Sequence, residues 1–363
     1  MTEQRILLTT DVVGGVWDFC AVLARELRAS AQVTLLAFGV PTPAHRRTAA
    51  AIGVDLRSVP LKLEWMQDAA ADMLETRQVV KDIARQLGAD VIHANQFAAA
   101  CADVVEVPVV LTLHSDVLSW RRWTYATRAV PAEWQAYAAL VREALARADA
   151  VVAVSAFLAR EIARLYAADR SFEVIHNGWP SPPPPGARHD RITLAAGRIW
   201  DAAKNIPLAA EAARGWDAGE VYLAGETTHP DGGQAEVPQP LQPLGVLDRA
   251  RMDGWLRRAS VYLSTARYDP FGLLPLQAAL NGCALLLSDI PSYRELWDGA
   301  ACFFRSNDAA DLRRQWQLLL DDPHRLQGLQ GAAYRRASTR YTAEAMAGAY
   351  RGVYTRVRKH VAA

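Results

Sequence analysis

The strongest constraint in this sequence is an alternation of short apolar runs with longer stretches of helical spacing, repeated along both halves of the chain. Residues 5–10 read as a strand, the loop Asp11-Val-Val-Gly14-Gly15-Val-Trp17 feeds a helix to about Arg28, and residues 33–38 read as the next strand. Strand, helix and strand in close succession make a βαβ unit, the element from which parallel sheets are built. The pattern then predicts a helix over 66–87, strands over 90–93 and 109–114, a helix over 133–147, and a strand over 151–154 with Ser155 capping the next helix. It resumes with strands over 192–195, 220–223, 261–263 and 284–287, helices over 206–214 and 249–259, and closing helices at about 308–320, 323–338 and 342–360. The expected fold class is α/β with parallel sheets.

A chain of 363 residues suits two domains better than one core. The break is marked by Trp179-Pro-Ser-Pro-Pro-Pro-Pro-Gly186, where the prolines can continue neither sheet nor helix. This gives domains over 1–178 and 190–340, a stiff linker over 179–189, and a terminal helical segment over 341–363. A net charge of +1 argues against a surface that coats nucleic acid, although it leaves room for a local basic cleft. Cys20, Cys101, Cys283 and Cys302 stand too far apart for a CxxC pair and read as core residues of a reducing compartment. The first apolar run is too short for a signal peptide, and no stretch approaches a membrane span. The expected location is the cytoplasm.

The chemistry concentrates in residues 261–289, a buried strand, a loop, a helix opening near Gly272 and another strand. The amides of Gly272, Leu273 and Leu274 fall at the helix start, where free N–H groups and the positive end of the helix dipole suit an anion such as a diphosphate. Asp269 precedes that turn and Gln277 follows it, so both side chains can face the carboxyl edge of the sheet, where such folds bind ligands. Arg198 and Lys204 flank another strand-to-helix connection and supply a planar bidentate donor and a mobile point charge. Gly14 and Gly15 are open to two readings, a plain tight turn or a close approach of backbone to phosphate or sugar. His93 and His114 end strands at the same kind of edge and can be functional or structural. The run Trp120-Arg-Arg-Trp123-Thr-Tyr125 reads either as an aromatic and basic surface for a sugar or lipid-like acceptor, or as a helix packing its tryptophans inward.

Taken together, Gly197-Arg198-(x5)-Lys204-Asn205, Ala224-Gly225, Tyr268-Asp269-Pro-Phe-Gly272-Leu-Leu-Pro-Leu-Gln277-Ala, Gly14-Gly15, His114, Val154-Ser155 and Ile175-His-Asn177-Gly178 resemble the retaining GT-B glycosyltransferases of family 4 (glycosyl transferases group 1). The resemblance covers essentially the whole chain. It implies two Rossmann-like domains facing across a deep cleft, with the final helix returning to the N-terminal, acceptor-side domain. Arg198 and Lys204 would neutralise the donor diphosphate, and Gly15 would approach it from the other domain. The amides at 272–274 would hold phosphate and sugar, and His114 would sit by the donor sugar. Asp269 and Gln277 stand where the family has two glutamates, one for the donor sugar and one for the ribose, and Trp179-Pro180 replaces the family's usual aspartate after Asn-Gly.

The implied reaction is hexosyl transfer from a nucleoside diphosphate sugar, UDP- or GDP-linked, to an unknown acceptor that is a glycan, a lipid-linked sugar or a small molecule. Peripheral contact with a membrane is compatible with it. It proceeds on the front face, without cofactor or metal, and the chain contains no Asp-x-Asp. The alternative left by the two replaced glutamates is a protein that binds nucleotide-sugar or glycan without turnover.

Overall fold

The computed structural model describes residues 4–127, 129–183 and 191–361. They form two compact units, one drawn from Met1–Ser119, Arg128–Pro180 and Ala343–Ala363, the other from Trp120–Thr127 and Ser181–Thr342.

The sheet of the first unit has strands β1 (Gln4–Asp11), β2 (Ala31–Phe38), β3 (Asp55–Val59), β4 (Val91–Ala94), β5 (Val109–Leu113), β6 (Ala150–Ala153) and β7 (Glu173–Val174). All pairs are parallel, in the order β3-β2-β1-β4-β5-β6-β7. Strands β4, β5 and β6 are buried along their whole length, and the nearly continuous apolar run Val-Val-Leu-Thr-Leu of β5 is what a strand covered on both faces requires. Helix Gly15–Leu27 covers one face with Phe19, Leu23 and Leu27. Beside it lies helix Ala343–Val361, whose Tyr350 and Tyr354 are fully buried.

Buried phenols need partners, and here a chain of hydroxyls and imidazole supplies them. His93 Nδ1 lies 2.7 Å from the Tyr354 hydroxyl and its Nε2 lies 2.7 Å from Thr112 Oγ1, which is 3.0 Å from the Tyr350 hydroxyl. His93 is therefore a structural clasp between sheet and helix.

The structure departs from the sequence expectation in several places. The helix expected from residue 66 runs over Ala70–Leu87, because Asp68 has a φ of 53° and cannot belong to a right-handed helix. Strand β3, which was not anticipated, is an exposed edge whose Asp-Leu-Arg-Ser-Val sequence carries no apolar run. Trp179, at the start of the expected linker, is buried within the first unit, and its carbonyl accepts the Ala343 amide at 3.2 Å. Residues 184–190 of that linker lie outside the described residues.

The second unit repeats the scheme with β8 (Ile192–Ala196), β9 (Glu220–Ala224), β10 (Gln242–Gly245), β11 (Val261–Ser264), β12 (Ala284–Ser288) and β13 (Cys302–Phe304). Its parallel order is β10-β9-β8-β11-β12-β13. Leu263, Leu286 and Phe304 meet helices Ile206–Ala212 and Ala309–Asp321 in its core, and the buried Trp316 satisfies its indole N–H on Thr193 Oγ1 at 3.0 Å. In each sheet the strand order reverses direction beside the first strand, between β1 and β4 and between β8 and β11. Such switch points open a crevice at the carboxyl ends of the strands. No described helix is long and apolar enough to cross a membrane.

Candidate functional site

At the switch point of the second unit, the loops after β8 and β11 are sewn to one another. The Arg267 amide donates to the Ala203 carbonyl at 2.7 Å, and the Thr265 hydroxyl donates to the carbonyls of Lys204 and Asn205 at 2.9 and 3.0 Å. The first loop also demands glycine next door. A Cβ on Gly225 would lie 1.7 Å from the Gly197 carbonyl oxygen, so the backbones after β8 and β9 touch only because residue 225 has no side chain.

Asp201 organises this loop. It opens the single turn Ala202–Lys204 by accepting the Ala203 amide on Oδ1 at 2.9 Å. The same oxygen accepts the Trp120 indole N–H at 3.0 Å, and Oδ2 accepts Arg198 Nη2 at 2.7 Å. Burial raises the pKa of this carboxyl, but Arg198 and Lys204 outweigh burial with their charges, helped by hydrogen bonds from Arg198 and Trp120, and hold it below the ordinary carboxylate range. Arg198 also lies over Trp200, 5.1 Å from the ring centroid.

Lys204 Nζ donates to Asp269 Oδ2 at 3.0 Å, and the Tyr293 hydroxyl donates to the same oxygen at 3.1 Å. Ser292 Oγ fixes the backbone there by donating to the Asp269 carbonyl at 2.6 Å. Gly272 follows with a φ of 80°, and a Cβ on it would meet Pro275 and Tyr293 at 3.0 Å. No side chain caps the helix Leu273–Leu280 that it opens, so the amides at 272–274 stand at a helix start without side-chain competition. Gln277 lies on that helix and is 5% exposed.

Arg198, Lys204, Asp269 and the Gly272 turn, each singled out in the sequence, thus lie on the two connected loops of one switch point. Trp120 reaches the same place through Asp201. It and Trp123 are half-buried on helix Val117–Tyr125, with Tyr125 edge-on to Trp120 at 5.3 Å. Their half-burial stands between the two sequence readings, an open surface and an inward-packed helix.

Gly14, Gly15 and His114 belong to the first unit. Gly14 precedes helix Gly15–Leu27 in extended conformation, with no side-chain cap. His114 Nε2 lies 2.7 Å from Asn95 Oδ1. Asn95 Nδ2 donates to the Thr9 carbonyl at 2.7 Å, which fixes the amide's orientation and so makes Nε2 of His114 the protonated nitrogen. Burial pushes the His114 pKa down to about 3, leaving a neutral ring at physiological pH. In the same unit, the Glu64 carboxyl accepts the Phe97 amide at 2.9 Å. Burial pushes its pKa up to about 7, the Phe97 hydrogen bond opposing and the Asp11 charge adding.

Residues 13–180 match the model of Glycosyltransferase Family 4. That match, to a glycosyltransferase domain, spans just under half of the chain. Glycogen synthases from two strains of Mycobacterium tuberculosis are 29% identical to it over 296 residues, spanning 73% of this chain and 68% of theirs. Among solved structures, sucrose-phosphate synthase from Thermosynechococcus elongatus superposes with a TM-score of 0.77 at 16% identity, covering 98% of this chain and 99% of that one. Anabaena HepE in complex with UDP-glucose also gives 0.77 at 16% identity, over 98% and 100%. The architecture is that of the GT-B glycosyltransferases, two Rossmann-like domains with parallel sheets.

Three participants were missed in the sequence. Asp201 carried a legible signal, an aspartate just before a helical turn. Asn95 follows a strand at the same edge as the histidines. Tyr293 carried none, since only the folded helix Pro291–Trp297 brings it to Asp269.

Proposed function

We propose that this glycosyltransferase moves a hexosyl group from a UDP- or GDP-sugar to an acceptor hydroxyl in the cytoplasm, with retention and without a metal. The observation that carries the reading is the convergence of Arg198, Lys204 and the uncapped helix start at Gly272 on one switch point. A diphosphate leaving group needs positive charge as the bond from the sugar's anomeric carbon to phosphate oxygen breaks, and these groups supply it without reorganising. The acceptor oxygen bonds to the same face of that carbon, and its proton passes to the departing phosphate oxygen.

In this reading the amides of Gly272, Leu273 and Leu274 hold phosphate and sugar, and Gln277 serves the ribose. Gly14 and Gly15 close on the diphosphate, and His114 hydrogen-bonds the sugar as a neutral imidazole. The unit containing residues 1–119 provides the acceptor side, and Trp120 and Trp123, which group with the second unit, are candidate ring-stacking groups for the acceptor. Asp269 already spends one oxygen on Lys204 and Tyr293. That engagement favours a second reading, in which the site binds a nucleotide-sugar without turnover.

Thermal-shift screening against UDP, GDP, ADP, dTDP and their sugars, with and without EDTA, tests the first step. Ligand at ~100 times its Kd should stabilise the protein by about 2.7 kcal/mol. Donor turnover in Arg198→Ala and in Lys204→Ala should each fall ~100-fold. Normal rates in both variants would remove the assigned roles, while binding with no turnover by the native protein would select the second reading.

A further inference from the structure

We infer that Asp201 is the positioning residue for Arg198, and that Trp120 senses the occupancy of the diphosphate site through the same carboxylate; the inference rests on the role proposed above for Arg198. A guanidinium on a flexible stem, 38% exposed, has no preferred aim of its own. Here its edge is held by Asp201 at 2.7 Å, and its face lies over Trp200, which itself stands against His229 at 4.4 Å.

Asp201 can aim it because Asp201 cannot move. The residue is 3% exposed, and its other oxygen is pinned by the Ala203 amide and the Trp120 indole. An exposed Arg–carboxylate pair would be a weak constraint; a buried carboxylate fixed by two further donors is a stiff one. The contact uses one of the guanidinium's five N–H groups and Nε is buried, so the remaining N–H groups on Nη1 and Nη2 can face a phosphate.

The charge of Asp201 opposes an incoming diphosphate, so its worth lies in orientation. When phosphate oxygens share Arg198, the guanidinium's hold on Oδ2 weakens, and the Trp120 N–H on Oδ1 must feel a more basic carboxylate. Trp120 lies on helix Val117–Tyr125, and this link makes that helix a reporter of the phosphate-binding cation.

The test combines calorimetric titration with UDP and with GDP and the indole ¹⁵N–¹H spectrum of the native protein, the Trp120 resonance being assigned by its loss in Trp120→Phe. In the native protein the better-binding nucleotide should move that resonance. Asp201→Ala should weaken its binding ~10-fold. Asp201→Asn, which keeps the shape and removes the charge, should recover most of the affinity while its indole resonance no longer responds. Unfolding of Asp201→Ala leaves the decision to Asp201→Asn and Trp120→Phe. If the native protein binds a nucleotide but the indole is silent, or Asp201→Ala binds equally well, the inference is overturned and the diphosphate site stands. If neither nucleotide binds, the diphosphate role itself fails and the inference falls with it.

Discussion

His93 and His114 show how far single residues could be read. Both end strands at the carboxyl edge of a sheet, and that position made each a candidate. The structure separates them by partners. His114 has one nitrogen on Asn95, whereas His93 has both ring nitrogens taken by hydroxyls, one of them on Tyr354, 261 residues further along the chain. No local spacing could reveal a partner at that distance. Asp269 and Lys204 were legible as site residues, but their pairing with each other was not, since it depends on how two loops meet.

Burial, with His114 adding, pushes the His93 pKa down from 6.5 to about 3, so the folded state refuses a proton that the unfolded chain accepts. Its contribution to stability is complete above pH ~6.5 and is lost as pH falls towards 3, by about 1.4 kcal/mol per pH unit. Urea midpoints at pH 7.5 and 5.5 should therefore diverge more for the native protein than for His93→Gln. Equal divergence in the two proteins would deny His93 this linkage.

Among the elements, the strands flanking both switch points were legible, because parallel strands covered on both faces are rich in apolar residues, as Ile6, Leu7 and Leu8 of β1, Val91 and Ile92 of β4, Ile192 and Leu194 of β8, and Val261 and Leu263 of β11 are. Edge strands such as β3 carry no such demand and escaped notice. Helix starts were less legible than helix bodies, as at Ala70, where one left-handed residue decides the boundary.

Close contact between loops belongs to this scale too. Gly225→Ala would drive a methyl group into the Gly197 carbonyl oxygen, 1.7 Å from the added carbon. We expect a loss of about 4 kcal/mol or more, beyond the ~0.5–3 kcal/mol of most substitutions, together with displacement of the Arg198 loop. Chemical denaturation measures the first and nucleotide titration the second. A variant within 1 kcal/mol of the native protein, a small change on the usual scale of ~0.5–3 kcal/mol, would show that the loop yields easily.

At the scale of the molecule, the two-domain α/β plan was readable from the repeated alternation, and the resemblance added where helix 341–363 would go. Trp120–Thr127 also belongs to the second unit, which no composition shift announces. Helix Ala343–Val361 contributes Met346, Tyr350, Val353 and Tyr354 to the core of the first unit. Burying each such side chain is worth ~1.5–3 kcal/mol, so together they rival the ~5–15 kcal/mol of an ordinary domain. A chain ended at Thr342 should therefore lose the near-ultraviolet dichroism of a packed first unit. Retention of a cooperative first-unit transition in that truncation would contradict the assignment.

The clasp of His93 on Tyr354 has a consequence in time. A ribosome delivers β1 to β7 first, the stretch Ser181–Thr342 of the second unit next, and only then the helix that covers Phe19, His93 and Thr112. Through most of its synthesis the first sheet must wait with an apolar face bare, in the condition that invites aggregation. The second unit, whose strands and helices are contiguous apart from Trp120–Thr127, can fold during that interval. The half of the protein made first is the half finished last.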